Sequence, residues 1–394
     1  KTLVAAFASA GAEVRFVGGC VRDTLLARAV RDIDAATPLP PERVMALLEK
    51  AGIEAIPTGL AHGTVTAVVN KKPFEITTLR RDVATDGRHA TVAYTDDWKE
   101  DAARRDFTMN ALYLSPGGEL FDYFGGEGDA KAGRVRFIGD ASARIREDYL
   151  RILRFFRFWA HYGKTPPEAK TLTACAAAAK HIETLSAERV QHEMLKLLAA
   201  PKSHHAISFM HEQKILPHAT GFGLATHAPL RRLEEIAAAF SLPVSAAAKL
   251  ACLMLASAAP VSADAMAARW KLSNAFADRL RALMTRYPQI PVDMAVPAQK
   301  KLIRKSGGSL FMEGVLLAWA QGEDIIDKGH PYHAMLMLAR EWTPPAFPVS
   351  GKDLLALGIP EGKRMGELLA GLEEKWEASD YKTSRETLLS DVKS

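Results

Sequence analysis

At 394 residues, 48% of them hydrophobic, the chain is too long for one core and apolar enough to pack throughout, so two to four domains of about 100–200 residues each are expected. Lys and Arg number 51 against 46 Asp and Glu, a net +5 that permits a polyanionic partner without demanding one. Cys20, Cys175 and Cys252 are scattered and odd in number, which suggests neither a disulfide framework nor a zinc site and fits a reducing cytoplasm; no apolar run nears the roughly 20 residues needed to cross a bilayer.

Residues Thr2 to Ala10 read as a short amphipathic helix that serves packing. Val14 to Val17 is β-rich, and Gly18-Gly19 behind it allows a tight turn and a close approach of backbone to ligand. Val21 to Ala29 then reads as a helix. The turn aims the free N–H groups of the helix start outward, an arrangement suited to phosphate oxygens, and Arg22 can add a bidentate contact. Asp32-Ile33-Asp34 follows, read as a strand in which Asp32 and Asp34 share a face while Ile33 points to the core. Two carboxylates held that close repel unless a cation lies between them, so the pair predicts Mg²⁺ bound together with substrate phosphates.

Pro40-Pro41 opens a helix through Lys50. Gly63 to Val69 and Phe74 to Leu79 read as strands of a hairpin joined by Asn70 to Pro73. Glu75, within the second, is either a third carboxylate beside Asp32 and Asp34 or a side chain facing solvent. From Arg80 to Tyr94 the apolar period disappears while charge and glycine rise, which predicts a mobile loop over the site. Asp96-Asp97 caps a helix through Arg104. Arg104-Arg105-Asp106 in isolation is a solvated ion-pair patch, but the apolar strand Ala111 to Leu114 begins almost at once and holds the cluster against the core. A second hairpin turns at Pro116-Gly117-Gly118, Phe124-Gly125-Gly126 reads as a flexible joint, and mixed strand and helix content ends near Asp140.

Beyond Asp140 every segment reads as helical. Ile145 to His161 sets Asp148, Arg151, Arg154 and Arg157 at steps of three, one polar ridge beside a groove filled by Leu150, Leu153 and Phe156. The ridge is either a run of weak salt bridges or a nucleotide selector. In the second case Asp148 accepts from a base edge and Arg151 donates to it, with about 1–3 kcal/mol of discrimination per good contact. Ser186 caps a further amphipathic helix to Leu198, in which Arg189 and Glu193 form an intrahelical ion pair. From Ala200 helices alternate with proline breaks, and basic residues recur at Lys300, Lys301, Arg304 and Lys305. Pro344-Pro345 marks the last boundary, followed by one helical element from Gly351 to Trp376. The expected domains are 1–140, 141–200, 201–343 and 344–394.

In order and at consistent spacing, VGGCVRD, RDIDAAT, FEITTLR, DGRHATV, RRDFTMNAL, DYFGG and REDYLRILRFFRF closely resemble the motifs of the class II tRNA nucleotidyltransferase family, which contains bacterial CCA-adding enzymes and poly(A) polymerases. The resemblance covers about Val14 to Leu198, and FPVSGKDLLALGIPEGKRMGELLAGLEE is similar to the tail of bacterial CCA-adding members. It implies an α/β head of the polymerase-β-like nucleotidyltransferase type followed by an all-α neck, body and tail. The implied reaction is template-independent addition of CTP and then ATP to the 3′ end of tRNA, by two-metal nucleotidyl transfer that releases pyrophosphate.

Carried over position by position, the resemblance has Asp32 and Asp34 hold Mg²⁺, Gly18, Gly19 and Arg22 contact the triphosphate, and Arg105 with Asp106 sit near the ribose and reject the deoxy form. Asp148 and Arg151, helped by Arg154 and Arg157, would read both bases, and the Arg80 to Tyr94 loop would reposition between C and A addition. The helical domains, with their recurring lysines, would bind tRNA by shape and phosphate contacts. The implied partners are tRNA, ATP and CTP, with no membrane and no protein partner. The alternatives are a poly(A) polymerase using ATP only, a member that adds only CC or only A, and a non-catalytic RNA-binding protein on a decayed enzyme head. One departure is a missing His-Asp metal motif around Lys249 to Leu253, which predicts no phosphohydrolase activity.

Overall fold

Helix α1 (Thr2–Ser9) buries Leu3 and Phe7 and leads into β1 (Arg15–Val17). Gly18 follows at φ +74, a conformation that glycine adopts because it has no Cβ to clash, and starts α2 (Gly19–Leu25). That helix stops short of the expected Ala29 because Ala27 turns left-handed, at φ +52. The computed structural model describes residues 1–60, 63–85, 90–286, 290–322 and 325–393, which divide into two units, Lys1–Gly223 and Leu224–Ser394.

In the first unit β2 (Asp34–Thr37) and α3 (Pro41–Lys50) are followed by β3 (Glu54–Gly59), β4 (Thr64–Val69) and β5 (Lys72–Thr78). Next come a ribbon of β6 (Arg80–Thr85) and β7 (Ala90–Tyr94), then α4 (Trp98–Ala103), β8 (Leu112–Leu114), β9 (Leu120–Asp122) and α5 (Gly126–Ala132). Seven strands form one sheet in the order β3-β4-β5-β2-β1-β8-β9, with β2 at its centre, antiparallel to β1 and parallel to β5. Phe7, Val44, Leu48, Val65 and Ile76 pack into one core cluster, and Val17, Leu79, Trp98, Tyr113 and Ile138 into another. The carboxylate-bearing end of β2 is thus held by a strand on each side.

Four local features differ from the sequence expectation. Strand β3 is an additional strand. The β4–β5 hairpin turns through Asn70 and Lys71 alone, both at positive φ, so Lys72 and Pro73 belong to β5. Residues 80–85 and 90–94 pair as an antiparallel ribbon rather than forming a loop, since the ladder is made by backbone groups that need no apolar alternation to find each other. The ribbon tip at 86–89, within DGRHATV, lies outside the described residues. Gly126 is no flexible joint, because a Cβ there would lie 2.1 Å from the Thr108 carbonyl oxygen; the glycine lets α5 pack directly on that backbone.

Helix α6 (Ala141–Glu147) ends where Asp148 adopts an extended conformation, and α7 (Leu150–Tyr162) starts afresh, so the expected single helix is two. Then follow α8 (Ala169–Ala178), α9 (Ala187–Leu198), α10 (Ser203–Glu212) and α11 (Leu216–Thr220). Helix α7 buries Leu153, Phe155 and Phe156 and packs against α9 and α10, with Phe155 stacked on Phe137 of the head. The domain boundary expected at residue 200 therefore falls inside the first unit.

The second unit is helical: α12 (Ala228–Ala239), α13 (Ala246–Leu255), α14 (Ala263–Trp270), α15 (Asn274–Arg286), α16 (Val296–Ser306), α17 (Gly308–Gln321), α18 (Pro331–Glu341), α19 (Gly351–Ala356), α20 (Lys363–Ala378) and α21 (Arg385–Lys393). The single element expected over Gly351 to Trp376 is broken after α19, where Gly358, Pro360 and Gly362 interrupt it. The last three helices share a small core of Leu354, Met365, Leu372, Trp376 and Leu388. Lys300 pairs with Asp380 at 2.6 Å and Lys301 with Glu377 at 2.8 Å, while Arg304 holds both Glu373 and Glu377. Three of the recurring basic residues are thus committed to α20 and the turn after it. Among the described residues no helix is long and apolar enough to cross a membrane.

Candidate active site

Asp34 begins β2, and its register partner on β5 is Glu75, so the parallel pairing sets these two residues side by side. Asp32 lies on the exposed chain before the strand, and Ile33 is 36% exposed rather than in the core. Pairing across β2 and β5, not alternation along one strand, therefore sets two carboxylates side by side, and of the two only Asp34 reaches the cavities described below. Burial, then the Glu75 carboxylate and Asp32, push the Asp34 carboxyl up from its usual range, against the pull of Arg105. Among the described residues no three metal-ligating side chains converge into a complete set. Mg²⁺ does not require one, since it is commonly held by one or two carboxylates with substrate phosphates and water. Asp34 and Asp32 are hard oxygen donors in a place where negative charge is already costly, and they fit such an ion.

Arg22, on α2, is buried against its neighbours: Nη1 donates to Asn110 Oδ1, Nη2 to the Tyr162 hydroxyl at 2.6 Å, and Nε to Asp23 at 3.0 Å. The Asp106 carboxylate accepts from the Phe107 N–H at 2.8 Å, from Asn110 Nδ2 at 3.0 Å and from Arg154 Nε at 2.8 Å. Burial opposes its charge, but Arg154, Asn110 and the backbone hold its carboxyl below the usual range. Arg105 is braced differently. Its Nη2 donates to Asp101 at 3.1 Å and its Nε to the Tyr113 hydroxyl at 3.4 Å, while that hydroxyl donates to Asp101 at 2.6 Å. The guanidiniums of Arg22, Arg105 and Arg154 are therefore fixed before any ligand arrives.

At the break between α6 and α7, Asp148 Oδ1 accepts the Leu150 N–H at 3.1 Å and Oδ2 accepts Arg189 Nη2 at 2.7 Å. Arg151 donates to Glu147 and to the Arg144 carbonyl at 2.8 Å. Arg189 does not pair with Glu193 as expected; Glu193 instead faces α7 and takes Arg157 at 2.6 Å and Arg154 at 3.7 Å. The reason is that α9 packs on α7, which presents cations across the interface at shorter range than the turn along α9.

These groups meet in a cavity of about 500 Å³. Gly18, Gly19, Arg22, Asp34, Arg105 and Asp106 line it from the head, and Asp148, Arg151, Arg154 and Arg189 from the helices. Asp32 and Arg157 line a neighbouring cavity instead, and Glu75 lines neither. Sequence reading missed Arg189, Asn110, Asp101 and Tyr162 as site residues; Asp101 and Asn110 do have partners within one turn, but the contacts that tie these four into the site also include ones 12 to 140 positions away.

An α/β head that offers carboxylates at the end of a central strand, joined by one cavity to a helix start bearing an acid and guanidiniums, defines a nucleotidyltransferase. Residues 14–136 match the model of the poly A polymerase head domain, and 166–219 that of the probable RNA and SrmB-binding site of polymerase A. The mitochondrial CCA tRNA nucleotidyltransferase 1 of Mus musculus is 35% identical over 100% of this chain and 89% of its own length, and that of Homo sapiens 36% identical over the same shares. The structure of the Bacillus stearothermophilus CCA-adding enzyme in complex with CTP is similar at a TM-score of 0.75 and 27% identity, covering 98% of this chain and 94% of that one. This chain belongs to the CCA tRNA nucleotidyltransferase family. Nucleotidyltransferases of this type generally use a divalent metal.

Proposed function

We infer that the chain adds CTP, CTP and then ATP to the 3′ end of tRNA without a template. One observation carries the reading: a single cavity joins Asp34 to Asp148 and Arg151. Cytosine and adenine each offer an exocyclic amino donor beside a ring-nitrogen acceptor, and Asp148 with Arg151 offers the complementary acceptor and donor. Uracil and guanine present a carbonyl where the amino group belongs, against the Asp148 carboxylate. Each Asp148 oxygen spends one lone pair on Leu150 or Arg189 and keeps another for a base.

Asp34 and Asp32 would hold Mg²⁺, which when bound supplies charge compensation at the reacting phosphate and eases ionisation of the RNA hydroxyl. Gly18 and Gly19 leave the cavity floor free of side chains where a triphosphate would lie, and Arg22 faces the same space. Arg105, braced by Asp101 and Tyr113, is set to meet the ribose hydroxyls with Asp106 beside it. The RNA 3′ oxygen bonds to the α-phosphorus, the bond from that phosphorus to the β-bridging oxygen breaks, pyrophosphate leaves with the electron pair, and the hydroxyl proton passes to solvent. Functionally, 1–140 acts as catalytic head, 141–200 as base-reading neck, and 201–343 with 344–394 as RNA-holding body and tail. Three buried, unbridged cysteines support a reducing compartment, and we read the location as cytoplasmic.

The test is to incubate the protein with tRNA lacking its 3′ end and each labelled nucleotide. Two C residues followed by a single A are expected. Long A tracts from ATP alone would make it a poly(A) polymerase, and a halt after CC or addition of A alone would make it a partial-activity member; each refutes the reading.

A further inference from the structure

Beside the nucleotide cavity lies a second one, of about 650 Å³. It shares Gly19, Arg22, Asp34 and Phe158 with the first, which puts Asp34 at the seam between the two, and adds Asp23 and Asp32. Its outer wall is cationic: Arg28 and Arg31 come from the chain between α2 and β2, Arg157 from α7 and Lys196 from α9. The two cavities use their cations differently. Around the first, Arg105, Arg151, Arg154 and Arg189 each already hold a carboxylate. Around the second, Arg28, Arg31 and Lys196 have no carboxylate partner among the described residues. Unpaired cations converging on one space favour an anion there.

The aromatic rings narrow the choice of anion. Tyr162 is covered by Arg22 at 4.2 Å and Arg28 at 4.6 Å, and Phe158 by Arg157 at 4.6 Å. Guanidiniums thus already lie over these two rings, and a compact phosphate needs no ring to stack on. We propose that this second cavity receives the departing pyrophosphate, held by Arg28, Arg31 and Lys196. The proposal rests on the nucleotidyl-transfer reading above. When the α-phosphorus bond to the bridging oxygen breaks, that electron pair moves onto pyrophosphate, and the new charge arises at the seam between the carboxylates and these cations.

The phosphates of the RNA strand share this chemistry, and the experiment separates the two sources. Lys196→Ala, Arg31→Ala and the double variant, all at exposed positions, are assayed for inhibition of CTP incorporation by inorganic pyrophosphate and for the KM of tRNA. Calorimetric binding of pyrophosphate with Mg²⁺ is measured in parallel. The inhibition constant and the calorimetric Kd are expected to rise roughly ten- to hundredfold, the KM of tRNA to stay within about twofold, and Lys196→Arg to restore the parent values. Unchanged inhibition and binding constants overturn the proposal. A raised KM for tRNA with an unchanged inhibition constant also overturns it and gives the cavity to the RNA backbone. Calorimetry needs no turnover, so a parent protein that binds pyrophosphate through these groups yet adds no nucleotide would refute the proposed reaction without refuting the site.

Discussion

Asp101→Asn tests whether the brace behind Arg105 is as strong as its geometry indicates. Asp101 is 1% exposed, and its carboxylate accepts from the Arg80 N–H at 3.2 Å, Arg104 Nε at 2.8 Å, Arg105 Nη2 at 3.1 Å and the Tyr113 hydroxyl at 2.6 Å. Burial works against its charge, but Arg105, Arg104 and the Tyr113 hydroxyl outweigh that and hold its pKa down to about 2, from an ordinary 3.8. At about 1.4 kcal/mol per pKa unit, the ionised carboxylate contributes roughly 2 kcal/mol to the folded state at neutral pH. Because the folded value lies below the unfolded one, this stability is fully present above pH 4 and is lost as pH falls from 4 toward 2. An asparagine cannot carry the charge and turns an N–H₂ donor toward a guanidinium.

The variant is therefore expected to unfold roughly 2 kcal/mol more easily than the parent at pH 7 in urea titrations followed by far-ultraviolet circular dichroism, with about half of that pH-dependent gap remaining at pH 3. Nucleotide transfer is expected to fall as well, since Arg105 loses its anchor. A gap that is absent at pH 7, or equal at pH 7 and pH 3, would refute the reasoning.

Three further outcomes follow from other parts of the molecule. Asp34→Asn and Asp32→Asn are each expected to abolish transfer while tRNA binding, followed by filter retention, persists; near-normal transfer would sink the metal assignment. Arg151→Ala is expected to lose preference for CTP and ATP over UTP by roughly 5- to 150-fold, the range for one good base contact, more than it loses turnover with CTP. Unchanged selectivity in competition assays would remove Arg151 from base reading. Gly126→Ala would put a Cβ 2.1 Å from the Thr108 carbonyl oxygen, and the backbone shift needed to relieve it is expected to cost roughly 1–3 kcal/mol or more. A melting temperature equal to the parent's would contradict that close approach.

The sequence alone determined whatever depends on residues within a turn or two of one another. The Gly18 turn, the Asp97 cap whose side chain accepts from Lys99 and Glu100, the hairpin of β4 and β5 and the amphipathic face of α7 all rest on local backbone preference and side-chain period. The order of the motifs also carried the family. Even so, local period misled where tertiary contacts compete with it: the steps of three from Asp148 to Arg157 imply one ridge, yet the chain breaks at Asp148 and Arg157 turns to the neighbouring cavity.

Only the tertiary structure decided which charge meets which. Arg154 finds Asp106 48 positions away, Arg189 finds Asp148 at 41, and Arg22 reaches Asn110 and Tyr162 at 88 and 140. Any of the many arginines could neutralise any of these acids at similar local cost. The selection falls to the packing of α7 and α9 and to the parallel pairing of β2 with β5, because ion pairs and hydrogen bonds act over a few ångströms and sequence separation does not report distance in space.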